Sequence, residues 1–118
     1  DLMGQENAES VGTRQLSGIG GQMDFLEGAF RSTGGKGFIC INSSRVTKDG
    51  QRKSNILATI PGGSTISAPR TMIQYVATEY GIASLSGKTL RERAEAMASI
   101  AHPDFREELL KYARENFK

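Results

Sequence analysis

The run Ser17-Gly18-Ile19-Gly20-Gly21-Gln22 sets several glycines immediately before a stretch with helical spacing. Backbone N–H groups with no Cβ in the way, beside the partial positive charge of a helix N-terminus, suit a phosphate, a carboxylate or a developing oxyanion. The dinucleotide-binding fingerprint fails here, because Met23 stands where a last Gly or Ala is required. The phosphate-loop pattern fails too, since Gly34-Gly35-Lys36-Gly37 has no hydroxyl residue after its lysine. Spacing alone leaves two readings of residues 17–22: an anion-binding loop, or a tight structural turn.

The other reactive residue types carry blander readings. His102 is the only histidine and directly precedes Pro103, which makes it a helix-entry residue; no Ser or Cys stands with it at triad spacing. Cys40, the only cysteine, lies in the apolar run Phe38-Ile39-Cys40-Ile41 and reads as a small buried hydrophobe. One cysteine excludes both an internal disulfide framework and a multi-cysteine metal site. Arg45, Lys48, Arg52 and Lys53 form a basic stretch, read first as a solvated loop and second as an attractor of phosphates. Asp24 falls in a first helical turn, where a negative charge is stabilising without further duty. Glu79 interrupts a β-rich run, so a buried, hydrogen-bonded structural carboxylate and a residue lining a site are both open.

These residues must be held by a modest single core. The chain has 118 residues, 37% hydrophobic and 24% charged, which suits one soluble α/β domain spanning 1–118. Fifteen Lys and Arg against thirteen Asp and Glu leave +2, too near neutral to argue for nucleic acid. No apolar stretch approaches the roughly 20 residues that span a bilayer, so no membrane partner is expected. With no signal sequence at the start, a cytoplasmic location is the expectation. Nine of the fourteen glycines lie within residues 1–37, and such front-loading shapes loops for close approach to something.

Along the chain, residues 1–20 read as short extended pieces separated by turns. Met23, Leu26, Ala29 and Phe30 give one face of a short helix over about 22–32, ended by Gly34-Gly35. Phe38–Ile41 has the pattern of a strand covered on both faces. Residues 43–53 read as a polar connection with an Asp-Gly turn; 55–60 and 64–67 read as a hairpin about Pro61-Gly62-Gly63. Residues 74–78 read as a further strand. Thr89-Leu90-Arg91-Glu92 is a capping box, after which Leu90, Ala94, Met97 and Ala101 repeat at helical spacing. Pro103 opens a second helix with Phe105, Leu109 and Tyr112 on its apolar stripe. Leu90, Met97, Phe105 and Leu109 are expected in the core, and the charged residues of 91–115 on wet faces.

Four separated blocks, in order, resemble one family. Leu16 through Phe25 resembles the S-G-x-G-G-Q-x-D-F loop of the acetyl-CoA hydrolase/transferase family, and Val76-Ala77-Thr78-Glu79-Tyr80-Gly81-Ile82-Ala83 resembles its V-x-T-E-Y-G-x-A strand. Leu85 through Ala94, and Ile100 through Arg106, are similar to its L-x-G-K-x-x-R-E-R-A and I-A-H-P-x-F-R stretches. The nearest branch in pattern is 4-hydroxybutyrate CoA-transferase. Asn42 departs from the family pattern, which favours proline there.

The resemblance implies a CoA-transferase-like C-terminal α/β domain, with a mixed sheet, flanking helices and a C-terminal helical pair. It implies transfer of CoA from an acyl-CoA to a small carboxylic acid through a glutamyl-CoA thioester. The attacking glutamate of the family lies upstream of this region, so no nucleophile is assigned in this chain. Gly20 and Gly21 are the implied backbone donors to the thioester oxyanion; Ser17, Gly18, Gln22, Asn42 and Ser43 are the implied CoA-contacting residues. CoA is a substrate here, with no resident cofactor and no metal. The implied partners are the missing N-terminal domain of the same enzyme and further copies of the whole. Acyl-CoA hydrolysis, and a non-catalytic binding domain of the same fold, are the alternatives.

Overall fold

A computed structural model describes residues 1–118. Its order is β1 (Ser10–Val11), β2 (Arg14–Gln15), α1 (Gln22–Arg31), β3 (Phe38–Cys40), β4 (Ser44–Val46), β5 (Arg52–Ser54), β6 (Tyr75–Thr78), β7 (Gly81–Ser84), α2 (Leu90–Ser99) and α3 (Pro103–Asn116). The central sheet has the order β3-β6-β7; β3 runs parallel to β6, and β7 returns antiparallel. β1 with β2, and β4 with β5, form two small antiparallel ribbons. The expected mixed sheet, flanking helix and C-terminal helical pair are all present. No helix is long and apolar enough to cross a membrane.

The core lies between one face of the sheet and the helical pair. Register brings Ile39, Val76 and Ala83 to the same face, where α2 contributes Ala94, Met97 and Ala98, and α3 adds Leu109 and Ala113. α2 begins at the expected capping box: Thr89 accepts from the Glu92 amide, and the Glu92 carboxylate accepts from the Thr89 amide. Pro103 occupies the first turn of α3, where its missing N–H leaves no donor unpaired. α1 ends in a tight reversal at Ser32–Gly35, where a Cβ on Gly35 would lie 2.0 Å from the Ala29 carbonyl oxygen.

Four expectations are corrected. β3 is an edge strand rather than a doubly covered one: Phe38 and Cys40 face away from the core beside Tyr75, Ala77 and Ile82, and Cys40 is exposed. The run is apolar on both faces, but nothing in this chain covers the second. The hairpin expected over 55–67 does not form. Residues 64–68 instead align with the N-terminal loop, through Ser67 N–H to the Glu6 carbonyl (2.8 Å), Ala8 N–H to Ser67 Oγ (2.9 Å) and a Glu6–Ala68 bridge. The β-hairpin sits earlier, in the supposed loop, where β4 and β5 pair about Asp49-Gly50.

The third correction is Leu90, which is 41% exposed, because it lies at the first turn of α2 and rotates away from the sheet. The fourth is Arg93, assigned to a wet face but buried. Its guanidinium donates to the carbonyls of Met3 (2.7 Å), Leu85 (2.8 Å) and Arg70 (2.7 Å), tying the chain start, the end of β7 and the loop before β6 to α2. Five fixed donors suit a guanidinium to this task, since three backbone carbonyls are satisfied by one side chain.

Candidate functional site

The glycine segment emerges from the β1–β2 ribbon and turns into α1. Ser17 N–H donates to the Glu9 carbonyl (3.3 Å), and the Ser17 carbonyl accepts from the Gln15 side chain (2.6 Å), which fixes where the loop departs. From there Ser17 through Gly21 is exposed. Gly20 has φ +61, a left-handed conformation that costs an L-residue with a side chain roughly 1–2 kcal/mol. Gly21, at the N-cap of α1, has φ −91 and no side-chain cap.

The consequence is a row of free donors. The backbone amides of Gly18 through Asp24 donate to no acceptor in the chain. Four amides per helix start lack intrahelical partners as a rule, and a polar side chain at the N-cap normally takes one of them. Glycine at the N-cap leaves them without a side-chain partner. Asp24 in the first turn of α1 complements the same helix end.

Gln22, next in the chain, is half-buried and points the other way. Its amide nitrogen donates to the Glu6 carboxylate in the N-terminal loop. Burial pushes the Glu6 carboxyl above its ordinary range, opposed by the Gln22 hydrogen bond. Glu6 lines a cavity of about 170 Å³ between the N-terminal loop and the inner face of the sheet. Sequence reasoning passed over Glu6; nothing in its neighbourhood signalled that Gln22 would reach it.

The end of β3 is arranged differently from the glycine turn. Asn42 is exposed and its carbonyl accepts from the Asn55 side chain (2.8 Å). Ser43 is fully buried, with its N–H (2.9 Å) and its O–H (2.5 Å) both donated to the Glu79 carboxylate. Ser43 therefore spends both of its donors inside the chain. Glu79 is hydrogen-bonded, as the first of its two readings has it, but is exposed rather than buried. The Ser43 hydroxyl, then the Ser43 amide, hold its carboxyl below the ordinary range.

His102 is the N-cap of α3, with Nδ1 accepting from the Asp104 amide (3.3 Å) and its ring edge-on to Tyr80 and Phe105. That is the helix-entry role expected of it. Arg106 lies 5.1 Å from the Tyr80 ring centroid and donates to the Ala101 carbonyl (2.8 Å). Arg45, Lys48, Arg52 and Lys53 stand exposed on the β4–β5 ribbon. No three His, Cys, Asp or Glu side chains converge as a metal site would require.

The family described as "Acetyl-CoA hydrolase/transferase C-terminal domain" matches residues 1–113. A butyryl-CoA:acetate CoA-transferase from Anaerostipes caccae is 50% identical over 113 residues, covering 96% of this chain and 25% of that protein. A 4-hydroxybutyrate coenzyme A transferase from Clostridium kluyveri is 47% identical over 117 residues, covering 99% of this chain and 27% of that protein. The crystal structure of RipA from Yersinia pestis superposes with a TM-score of 0.83 at 38% identity, over 98% of this chain and 25% of RipA. The chain thus spans about a quarter of the length of the relatives it matches. A whole-chain family match, a like fold and four ordered sequence blocks lead to one conclusion: the chain belongs to the acetyl-CoA hydrolase/transferase C-terminal domain family.

Proposed function

We propose that this chain is the C-terminal domain of an enzyme that moves CoA from an acyl-CoA to a small carboxylic acid, working in the cytoplasm together with an N-terminal domain. The observation that carries the reading is the glycine turn: Gly20 and Gly21 open α1 with amides that donate to nothing in the chain. A thioester oxygen that becomes negative as a carboxylate attacks requires donors of this kind. The attacking glutamate belongs to the part of the enzyme outside residues 1–118.

In the proposed cycle the glutamate carboxylate adds to the acyl-CoA carbonyl and expels CoA thiolate, leaving an acyl-glutamyl anhydride. The thiolate then attacks the glutamyl carbonyl, releasing the first carboxylic acid and forming the glutamyl-CoA thioester. The acceptor carboxylate repeats both steps in reverse order, and the glutamate is regenerated. The role of Gly20 and Gly21 is to hold the oxyanion at each addition. Ser17, Gly18 and Gln22 flank that position along the chain and, with Asn42 at the end of β3, are the candidate CoA contacts. Hydrolysis would differ only in water taking the acceptor's place.

Two substitutions in the full-length enzyme test the role of the turn. Gly21→Ala needs no unusual backbone, and its methyl group would meet the Phe25 ring at an ordinary 3.7 Å. The variant is expected to melt within a few degrees of the parent, while turnover falls because the added methyl group pushes the thioester oxygen away from the N–H donors, a displacement that approaches the factor of about 10²–10³ seen when one oxyanion donor is lost. Gly20→Ala is expected to lower stability by roughly 1–2 kcal/mol through its left-handed φ. A Gly21→Ala enzyme with unaltered turnover per folded molecule would reduce the segment to a tight turn.

A further inference from the structure

Six residues share the outer face of the central sheet: Phe38 and Cys40 of β3, Tyr75 and Ala77 of β6, and Ile82 and Ser84 of β7. None of them is charged. A sheet face meant for water alternates polar with apolar residues along each strand, whereas parallel strands covered on both sides are apolar throughout. Phe38 and Ile82 are nevertheless exposed. α1 repeats the pattern, for it carries Met23, Phe25, Leu26 and Phe30 and buries only Leu26. A groove of about 420 Å³ joins the two surfaces, with Phe25 and Ala29 of α1 and Phe38 of β3 among its walls. The Phe25 ring in turn adjoins the glycine turn, since a Cβ on Gly21 would lie 3.7 Å from it.

We infer that this continuous surface, from Phe25 across the groove to Phe38, Tyr75 and Ile82, seats the rest of the same polypeptide and not a second copy of this domain. Length is the first reason. The relatives are about four times as long as this chain, so a large body of sequence stands ready to pack on it. Composition is the second. A face without charge matches a permanent, core-like contact, whereas transient contacts are no more apolar than ordinary surface. The third reason is where the surface leads, and here the choice of occupant rests on the CoA-transfer reading above. In that reading the attacking carboxylate comes from outside residues 1–118 and meets its oxyanion donors at Gly20 and Gly21. A body that covers Phe25 stands beside those two residues. A second copy of residues 1–118 would bring another glycine turn and no nucleophile.

The test uses the full-length enzyme and reads the packing without turnover. Cys40, exposed in this chain and set on the outer face, is the first probe. Native enzyme and enzyme unfolded in urea are pulsed with N-ethylmaleimide, and the peptide that holds Cys40 is followed by mass spectrometry. Labelling of the native enzyme is expected to be at least about a hundredfold slower, because it then waits on local opening. The second probe is p-benzoylphenylalanine in place of Ile82, irradiated and analysed on a denaturing gel and by peptide mapping. Cross-links are expected within one polypeptide, to residues outside 1–118. Free labelling of Cys40 in the native enzyme overturns the docking, and so do cross-links that join two polypeptides or fall only within residues 1–118. A parent that transfers CoA with Cys40 freely labelled loses this inference and keeps the transfer reading. A parent with Cys40 shielded and Ile82 cross-linked outside 1–118, yet with no CoA transfer, keeps the docking and loses the transfer reading.

Discussion

Glu79 and Ser43 show how one residue's two donors can fix a carboxylate. Both Ser43 donors go to one exposed carboxylate, which joins the turn after β3 to the turn between β6 and β7. Because those hydrogen bonds favour the ionised form, the folded-state pKa lies below the unfolded value. The stabilisation is therefore present above the ordinary glutamate range and is lost as pH falls through the folded pKa. Glu79→Gln is expected to be less stable than the parent at neutral pH, with the gap closing in acid. Urea denaturation at pH 7 and at about pH 3 checks this, and a gap that is constant or widens in acid would contradict the assignment.

At the scale of elements, α2 and α3 are the part most fully written in local sequence. The capping box and the proline recur in the structure as expected, and the apolar stripes do so except at Leu90. Periodicity nevertheless cannot say which turn of a helix reaches the sheet. Leu109 is 6% exposed and Leu90 is 41% exposed, though both fall on stripes of similar appearance. Leu109→Ala is expected to cost about 2–5 kcal/mol, as large-to-small changes in cores do. Leu90→Ala is expected to stay within about 0.5 kcal/mol, as exposed substitutions do. Thermal melts of the two variants side by side decide whether the helical pair docks as described.

The whole molecule is a sheet with one finished face. Met97, Val76 and their neighbours close the inner side, while the outer side shows Phe38 stacked on Tyr75 (4.8 Å between centroids), and Ile82 at 63% exposure. Phe25, on the outer side of α1, is 82% exposed. Apolar surface of this extent is the usual mark of an interaction site, and the relatives are about four times as long as this chain. The 118-residue chain alone is expected neither to transfer nor to hydrolyse acyl-CoA, because the proposed nucleophile lies outside it. Assaying the purified chain with acetyl-CoA and a thiol reagent checks this. Turnover abolished by Glu79→Gln or Asp24→Asn would place the nucleophile here after all.

The sequence by itself determined whatever depends on neighbours a few residues apart. The entry of α1 through Gly20-Gly21, the Thr89 cap, the Pro103 start and the role of His102 follow from local backbone chemistry and could be read directly. The ordered blocks around Gly18–Gln22 and Thr78–Gly81 also carried the family. Tertiary structure decided what depends on distant partners. Whether Ser64–Ala68 pairs with 55–60 or with the loop at Glu6 is a contest between two edges, and no turn signal settles it. Cys40 and Ser43 exchange their expected exposures because a strand's register, not its composition, chooses the face that is covered. Arg93 is buried only because three carbonyls from separate segments meet around it, and Glu6 reaches Gln22 only because the N-terminal loop folds over the sheet. Such meetings are fixed by packing in three dimensions, and local periodicity holds no trace of them.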